Sequence, residues 1–129
     1  MGMLNDTIAS GGPDKGYTAQ LLADGGTGFG DLRPYSIAVD FIGQAIHTTL
    51  APKYYNDTVD ITIAPTSDGG SYITAFSLSL IGGAYGDDGQ NYYNIVKLMQ
   101  APSWKVDPKP VHLDGSCQAV SSGSKAASE

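Results

Sequence analysis

Hydrophobic and polar residues alternate in three runs near the middle of the chain, at 35–50, 58–64 and 72–81. An alternation of period two is typical of a strand that buries one face and keeps the other polar. Turn-forming residues separate the runs, so the pattern predicts an antiparallel meander of three strands. The polar face of this meander would carry Ser36, Ala38, Asp40, Thr58, Asp60, Thr62, Ala75, Ser77 and Ser79.

The hydrophobic period changes to that of a helix in residues 88–100, and Pro102 ends this pattern. A helix of about twelve residues is only marginally stable alone. We therefore expect it to pack on the covered face of the meander, either in its own subunit or in a dimer partner. The apolar residues of the predicted helix are Tyr92, Ile95, Val96 and Met99.

The chain before the meander contains two further strand candidates, 4–10 and 17–22, which the turn residues 11–16 join into an N-terminal hairpin. The glycine-rich run 25–30 then breaks regular structure. The predicted fold class is α+β, with an N-terminal hairpin, an antiparallel β-meander and a C-terminal helix.

Chain length and composition favour one small domain. A chain of 129 residues fits a single domain, which we place at 1–100, with 101–129 as an extended Pro- and Ser-rich C-terminal arm. Hydrophobic residues make up 41% of the chain and glycines number 17, so the core is modest. Oligomerisation is a natural source of additional stability for such a domain.

The charge balance and the single cysteine narrow the function classes. The net charge of −6 argues against a general nucleic-acid binder, which would be basic. No apolar run approaches roughly 18 residues, so we expect no transmembrane helix and no contact with a membrane. The N-terminus lacks the pattern of a signal peptide. Cys117 has no partner for an internal disulfide, which fits a reducing compartment.

Candidate catalytic residues do not form a recognisable constellation. His47 and His112 are far apart and lack metal-ligand spacing. The glycine-rich run lacks the spacing of a nucleotide-binding loop. Asp40, Asp57 and Asp60 are candidates for paired glycosidase carboxylates, but a polar strand face accounts for two of them. We therefore expect no enzyme activity, no metal and no cofactor.

In the order of its segments, the chain resembles the coat proteins of single-stranded RNA bacteriophages, the leviviruses. The resemblance covers about residues 4–100 and depends on the order and spacing of the segments. The segments are Thr7-Ile8-Ala9-Ser10 through Gly16-Tyr17-Thr18-Ala19-Gln20-Leu21-Leu22, then Leu22-Ala23-Asp24-Gly25-Gly26-Thr27-Gly28, Thr58-Val59-Asp60-Ile61-Thr62-Ile63-Ala64-Pro65, and Asn94-Ile95-Val96-Lys97-Leu98-Met99-Gln100.

The resemblance implies a structural virion protein that forms an intertwined homodimer. Two meanders would join into one sheet, and the helix residues Tyr92, Ile95, Val96 and Met99 would pack across it. Dimers would assemble in the bacterial host cytoplasm into a small icosahedral capsid around viral RNA. The loop between the last two strands would meet its copies around the symmetry axes. This loop consists of Thr66, Ser67, Asp68, Gly69 and Gly70.

The sequence departs from the family in two places. The arm 101–129 does not have the pattern of a second helix, and the inward sheet face carries no cation. The resemblance implies that RNA is packaged. Because each phosphate contact favours Lys or Arg, this departure predicts that the sheet face packages RNA weakly and with little sequence preference. The RNA-facing residues would be Ser36, Asp40, Thr58, Asp60, Thr62, Ser77 and Ser79, and the candidates for an additional RNA or subunit contact are Arg33, Lys53, Tyr54 and Tyr55.

Two other function classes stay open on the sequence. A phage decoration or tail-tube protein would share the β-rich composition and would account more easily for the acidity. A small β-barrel that binds a ligand or acts as an enzyme would remain monomeric and contain a cavity.

Overall fold

The computed structural model describes residues 1–20, 22–26, 28–50, 53–80 and 89–111. His112, Cys117 and the arm beyond Val111 lie outside the described residues. The strands are β1 (Tyr17–Ala19), β2 (Phe29–Asp31), β3 (Phe41–Thr48), β4 (Asn56–Pro65) and β5 (Ser71–Ser79), and the helices are α1 (Gly2–Ala9), α2 (Gln90–Gln100) and a 3-10 turn at Arg33–Tyr35.

The five strands form one antiparallel sheet in the order β1-β3-β4-β5. The short strand β2 pairs with the first half of β3, and β1 pairs with its second half. The β3–β4–β5 meander and the helix near residues 90–100 confirm the predicted α+β class. β5 ends the sheet, and no strand among the described residues lies on its other side.

Both helices pack on one face of the sheet, which we call the covered face; the opposite side is the open face. In β4 the side chains of Val59, Ile61 and Ile63 are buried, while their neighbours are only half-buried. This alternation confirms the period-two pattern of the sequence. The buried core consists of Leu4, Ile8, Tyr17, Phe29, Ala45, Val59, Ile61, Ile63 and Leu98.

The N-terminal hairpin that we predicted does not form, because its first strand lies in α1. Leu4 and Ile8 are the two buried residues of α1 and are four positions apart. A spacing of four fits one face of a helix as well as one face of a strand, so the sequence pattern did not separate the two. The second predicted strand is present as β1, and it pairs with β3 instead.

The first strand of the meander begins later than predicted, at Phe41. Pro34 lies in the 3-10 turn, and Ser36 ends that turn in the left-handed region at φ 53°. Proline favours the first turn of a helix. The chain therefore forms a 3-10 turn at Arg33–Tyr35, where the alternating pattern had predicted the start of a strand. In the glycine-rich run 25–30, where we expected no regular structure, β2 begins at Phe29.

Candidate assembly surface and buried polar row

Among the described residues, no strand pairs with the outer edge of β5. In the β4–β5 ladder, the Leu80 amide donates to the Asn56 carbonyl at 2.9 Å, and the Thr66 amide donates to the Gly70 carbonyl at 3.1 Å. Hydrogen-bonded pairs alternate along an antiparallel ladder, so the even-numbered residues of β5 bond to β4. The odd-numbered residues direct their amides and carbonyls away from it; they are Ser71, Ile73, Ala75, Ser77 and Ser79.

The open side of the same strand is apolar. Tyr72, Phe76, Leu78 and the following Leu80 are between 53% and 58% exposed, and we call these four residues the β5 stripe. Next to them, Thr58, Asp60 and Thr62 of β4 lie in register with Leu78, Phe76 and Thr74. Asp60 is the only charged residue that the described strands place on the open face, and its carboxylate accepts a hydrogen bond from Gln44 Nε2.

The residues predicted to face RNA do not form one surface. Thr58, Asp60 and Thr62 lie on the open face, but Ser77 and Ser79 lie on the covered face. Ser77 Oγ donates to Asn91 Oδ1 at 2.7 Å, and Asn91 Nδ2 donates to Ser79 Oγ at 3.0 Å. In β5 the serines therefore face the helix, and the large apolar side chains face outward.

The remaining two predicted RNA-facing residues lie outside the strands. Ser36 follows the 3-10 turn, and Asp40 precedes β3, where its amide donates to the Ile63 carbonyl at 2.9 Å. Both therefore shape the entry to β3 and lie apart from the hydroxyl row of β4.

The four candidates for an additional RNA or subunit contact fall at opposite ends of β3, which is about 25 Å long. At one end, Arg33 forms a two-point ion pair with Asp31 and lies 4.9 Å from the centre of the Phe41 ring. The hydrogen bonds from Arg33 lower the pKa of the Asp31 carboxyl. At the other end, Lys53 and Tyr54 are exposed and Tyr55 is half-buried.

The predicted inter-dimer loop is an exposed hairpin turn between β4 and β5. Asp68 accepts hydrogen bonds from Thr66 Oγ1 and from the Gly70 amide, and these bonds lower its pKa. Gly69 has φ +85°, the left-handed conformation that a turn of this kind assigns to glycine. The loop thus satisfies its own polar groups, with Ser67 at its tip.

The predicted packing residues of α2 surround the deepest line of the helix. Ile95 and Met99 pack against the core, and Tyr92 and Val96 are half-buried. The fully buried positions are Gln90, Asn94 and Leu98, spaced four residues apart. Two of these three are polar, and this is the feature that the hydrophobic pattern did not reveal.

Below these amides lies a row of polar groups that crosses the covered face. Tyr17, His47, Asp57 and Ser79 are cross-strand neighbours in β1, β3, β4 and β5. Asn94 connects the row to α2. Its side-chain Nδ2 donates to Asp57 Oδ2 at 2.9 Å, and its backbone carbonyl accepts a hydrogen bond from Tyr17 Oη at 2.6 Å. Burial raises the pKa of Tyr17.

Asp14 fastens the loop after α1 to this row. Its Oδ2 lies 2.8 Å from His47 Nε2, and its Oδ1 accepts the Gly16 amide at 2.9 Å. Burial alone would raise the pKa of Asp14, but the hydrogen bonds from His47 and the Gly16 amide lower it. A side chain at position 16 would collide with the Thr48 carbonyl and His47, so glycine is required there.

The hydrogen bonds of this row join α2 and the loop after α1 to the sheet. No described serine or cysteine is hydrogen-bonded to His47, and the described residues contain no group of three or more ionisable side chains that could hold a metal. The hydrogen bonds of Asn94 with Asp57 and Tyr17 fix the position of α2 on the sheet. Sequence reasoning missed the row because the pattern of strand pairing, which brings the four residues together, is not visible in the chain.

Comparison with known proteins identifies no relative: no family model, curated protein or solved structure matches the chain. Within the described residues, no helix has the length and apolar character needed to cross a membrane.

Replacing Asp14 with Asn tests its role in the polar row. Because the pKa of Asp14 is lower in the folded protein, its carboxylate stabilises the fold above the unfolded pKa of about 3.9, and this contribution is lost as the pH falls through the folded value. Urea unfolding should show that D14N is less stable than wild type at pH 7 and that the difference shrinks below pH 4. D24N, in an exposed loop, is the control. This role would be contradicted if D14N and D24N lost equal stability, or if the difference in unfolding free energy between D14N and wild type did not change with pH.

Proposed function

We propose that this protein is a non-enzymatic structural virion protein that dimerises through β5 and self-assembles into a small icosahedral shell around an RNA genome, formed in the cytoplasm of a bacterial host. The observation that supports the proposal is the free edge of β5. A long edge strand with an apolar open side is a template for pairing with another chain, and soluble monomers avoid such edges. The resemblance to levivirus coat proteins supplies the virion class.

The alternation of inward and outward backbone groups along β5 favours one register for pairing two copies. Only the odd-numbered residues have outward backbone groups, so a two-fold axis at Ala75 uses the whole strand, from Ser71 to Ser79. This register makes about ten backbone hydrogen bonds, two for each hydrogen-bonded pair, and a shift of the axis by one residue makes about eight. Each bond contributes about 0.5–1.5 kcal/mol net.

The same register also pairs the apolar side chains of the open face. Thr74 of one copy lies opposite Phe76 of the other, and Tyr72 lies opposite Leu78. Aromatic and aliphatic side chains in such cross-strand pairs each contribute roughly 0.2–1 kcal/mol. The β5 stripes of the two copies would then lie side by side across the centre of a joint sheet, with Thr74 of each copy between its Tyr72 and Phe76.

The open face favours weak, non-selective packaging of RNA. Each phosphate contact favours a cation, but the described strands place only hydroxyls, amides, apolar groups and Asp60 there. Arg33 is already paired with Asp31. The acidity of this face also favours a second candidate function, a decoration or tail-tube protein that binds an existing shell.

A pair of double variants tests the Ala75 register. In T74E/F76K, the introduced glutamate of one copy would face the introduced lysine of the other, whereas T74K/F76K would place two lysines opposite each other. Both variants keep a lysine beside Asp60 within the chain, so their folding should be matched. We expect T74E/F76K to remain dimeric or larger in sedimentation velocity at micromolar concentration and T74K/F76K to be weakened by roughly tenfold or more.

The same experiment discriminates between registers. An axis at Thr74 or Phe76 would place like charges opposite each other in T74E/F76K as well, so that variant would dissociate. Dissociation of T74E/F76K to the same extent as T74K/F76K, or a monomeric wild type, would contradict the proposed pairing.

Substitution of Asp60 with Lys tests the account of RNA binding. A cation on the open face should strengthen binding to a pool of RNA hairpins. It should also steepen the slope of log K against log salt concentration by about 0.7 for each added phosphate contact in single-stranded RNA. D24K changes the charge equally in an exposed loop and is the control. Filter binding measures both. Sequence-selective, nanomolar binding by the wild type would contradict the weak, non-selective packaging that we propose.

A further inference from the structure

Residues 105–111, which we call the proline segment, are exposed along their whole length. The segment follows Trp104, which packs against the core and whose Nε1 donates to the Met99 carbonyl. Val106 and Val111 are 77% and 73% exposed, more than any residue of the β5 stripe. The structure therefore anchors the start of the segment on the covered side and leaves its apolar side chains without a covering surface among the described residues.

The sequence of the proline segment restricts its conformation. Pro108 and Pro110 have φ near −65°, and a proline pushes the residue before it towards extended backbone. Four consecutive residues, from Asp107 to Pro110, are thus biased towards the polyproline II conformation. A segment that is already extended loses little conformational entropy when it binds.

The β5 stripe has the chemistry that such segments bind. Proline-rich extended segments dock on exposed aromatic side chains, and the stripe presents Tyr72 and Phe76 on one side of one strand. The charges are also complementary. The proline segment contains Lys105 and Lys109 against one Asp107, whereas the open face carries the Asp60 carboxylate and no cation on its described strands.

We propose that the proline segment of one copy docks on the β5 stripe of a second copy. Within its own subunit, the segment begins at Trp104 on the covered side, whereas the stripe lies on the opposite face of the sheet. A polyproline II segment of this length spans about 22 Å, enough to extend beyond its own domain to a neighbour. This contact uses the open face of β5, whereas the strand pairing proposed above uses the backbone groups of its edge, so the two contacts can be tested separately.

Single-cysteine chains provide a direct test. In a Cys117→Ser background, each of V106C, F76C and D24C has one thiol, so any disulfide must join two chains. A disulfide needs Cα atoms within about 7 Å, which a docked segment provides and an exposed loop at Asp24 does not. We expect mixing V106C with F76C to yield, under mild oxidation, at least tenfold more mixed disulfide than mixing V106C with D24C, as measured by mass spectrometry.

Two results would overturn the proposal. One is an equal yield of mixed disulfide with F76C and with D24C. The other is a disulfide that forms only within the chain of V106C/F76C/C117S, since the segment would then reach the stripe of its own subunit. Sedimentation of the wild-type chain, run alongside, separates this contact from β5 pairing: dimers without the mixed disulfide retain the strand pairing and contradict only the docking of the proline segment.

Discussion

An antiparallel strand can bond only half of its backbone groups to one neighbour, and this constraint governs β5. Its even-numbered residues complete the ladder with β4, while its odd-numbered residues direct their donors and acceptors to the free edge. Natural proteins protect such edges with charges, proline or bulges. In β5 the open face instead carries Thr74 and the large apolar side chains of Tyr72, Phe76 and Leu78, and none of them is charged. A partner strand bonds the backbone groups of this edge and brings the apolar side chains of the two copies side by side, which is why self-assembly is the function we propose.

The buried polar row fixes the position of α2 on the covered face of the sheet. Asn94 holds α2 to Asp57 and to Tyr17, and Asn91 holds it to the serines of β5. Burying amides and carboxylates is costly unless they are paired, so a shift of α2 along the sheet would leave several of them unsatisfied. The row therefore holds α2 in one position on the covered face, above the serines of β5.

Local patterns predicted those elements whose packing agrees with their own periodicity. The alternation of Val59, Ile61 and Ile63 predicted β4 correctly because those residues face the core. The same reasoning placed Ser77 and Ser79 on the outside, and it failed because Asn91 satisfies their hydroxyls under α2. The spacing of Leu4 and Ile8 fitted two periods, and only the contact with the sheet and α2 selects the helix. The polar row depends on strand pairing, which no local pattern encodes.

Amide hydrogen exchange along β5 tests the central claim most directly, because it reports on the individual backbone groups at the edge. The amides of Thr74 and Phe76 bond to β4 and should be protected in the monomer and in the assembly alike. The amides of Ile73, Ala75 and Ser77 should become protected in the assembled wild-type protein and should exchange rapidly in T74K/F76K at a concentration where that variant has dissociated. Rapid exchange of these three amides in the assembled protein would contradict strand pairing through β5.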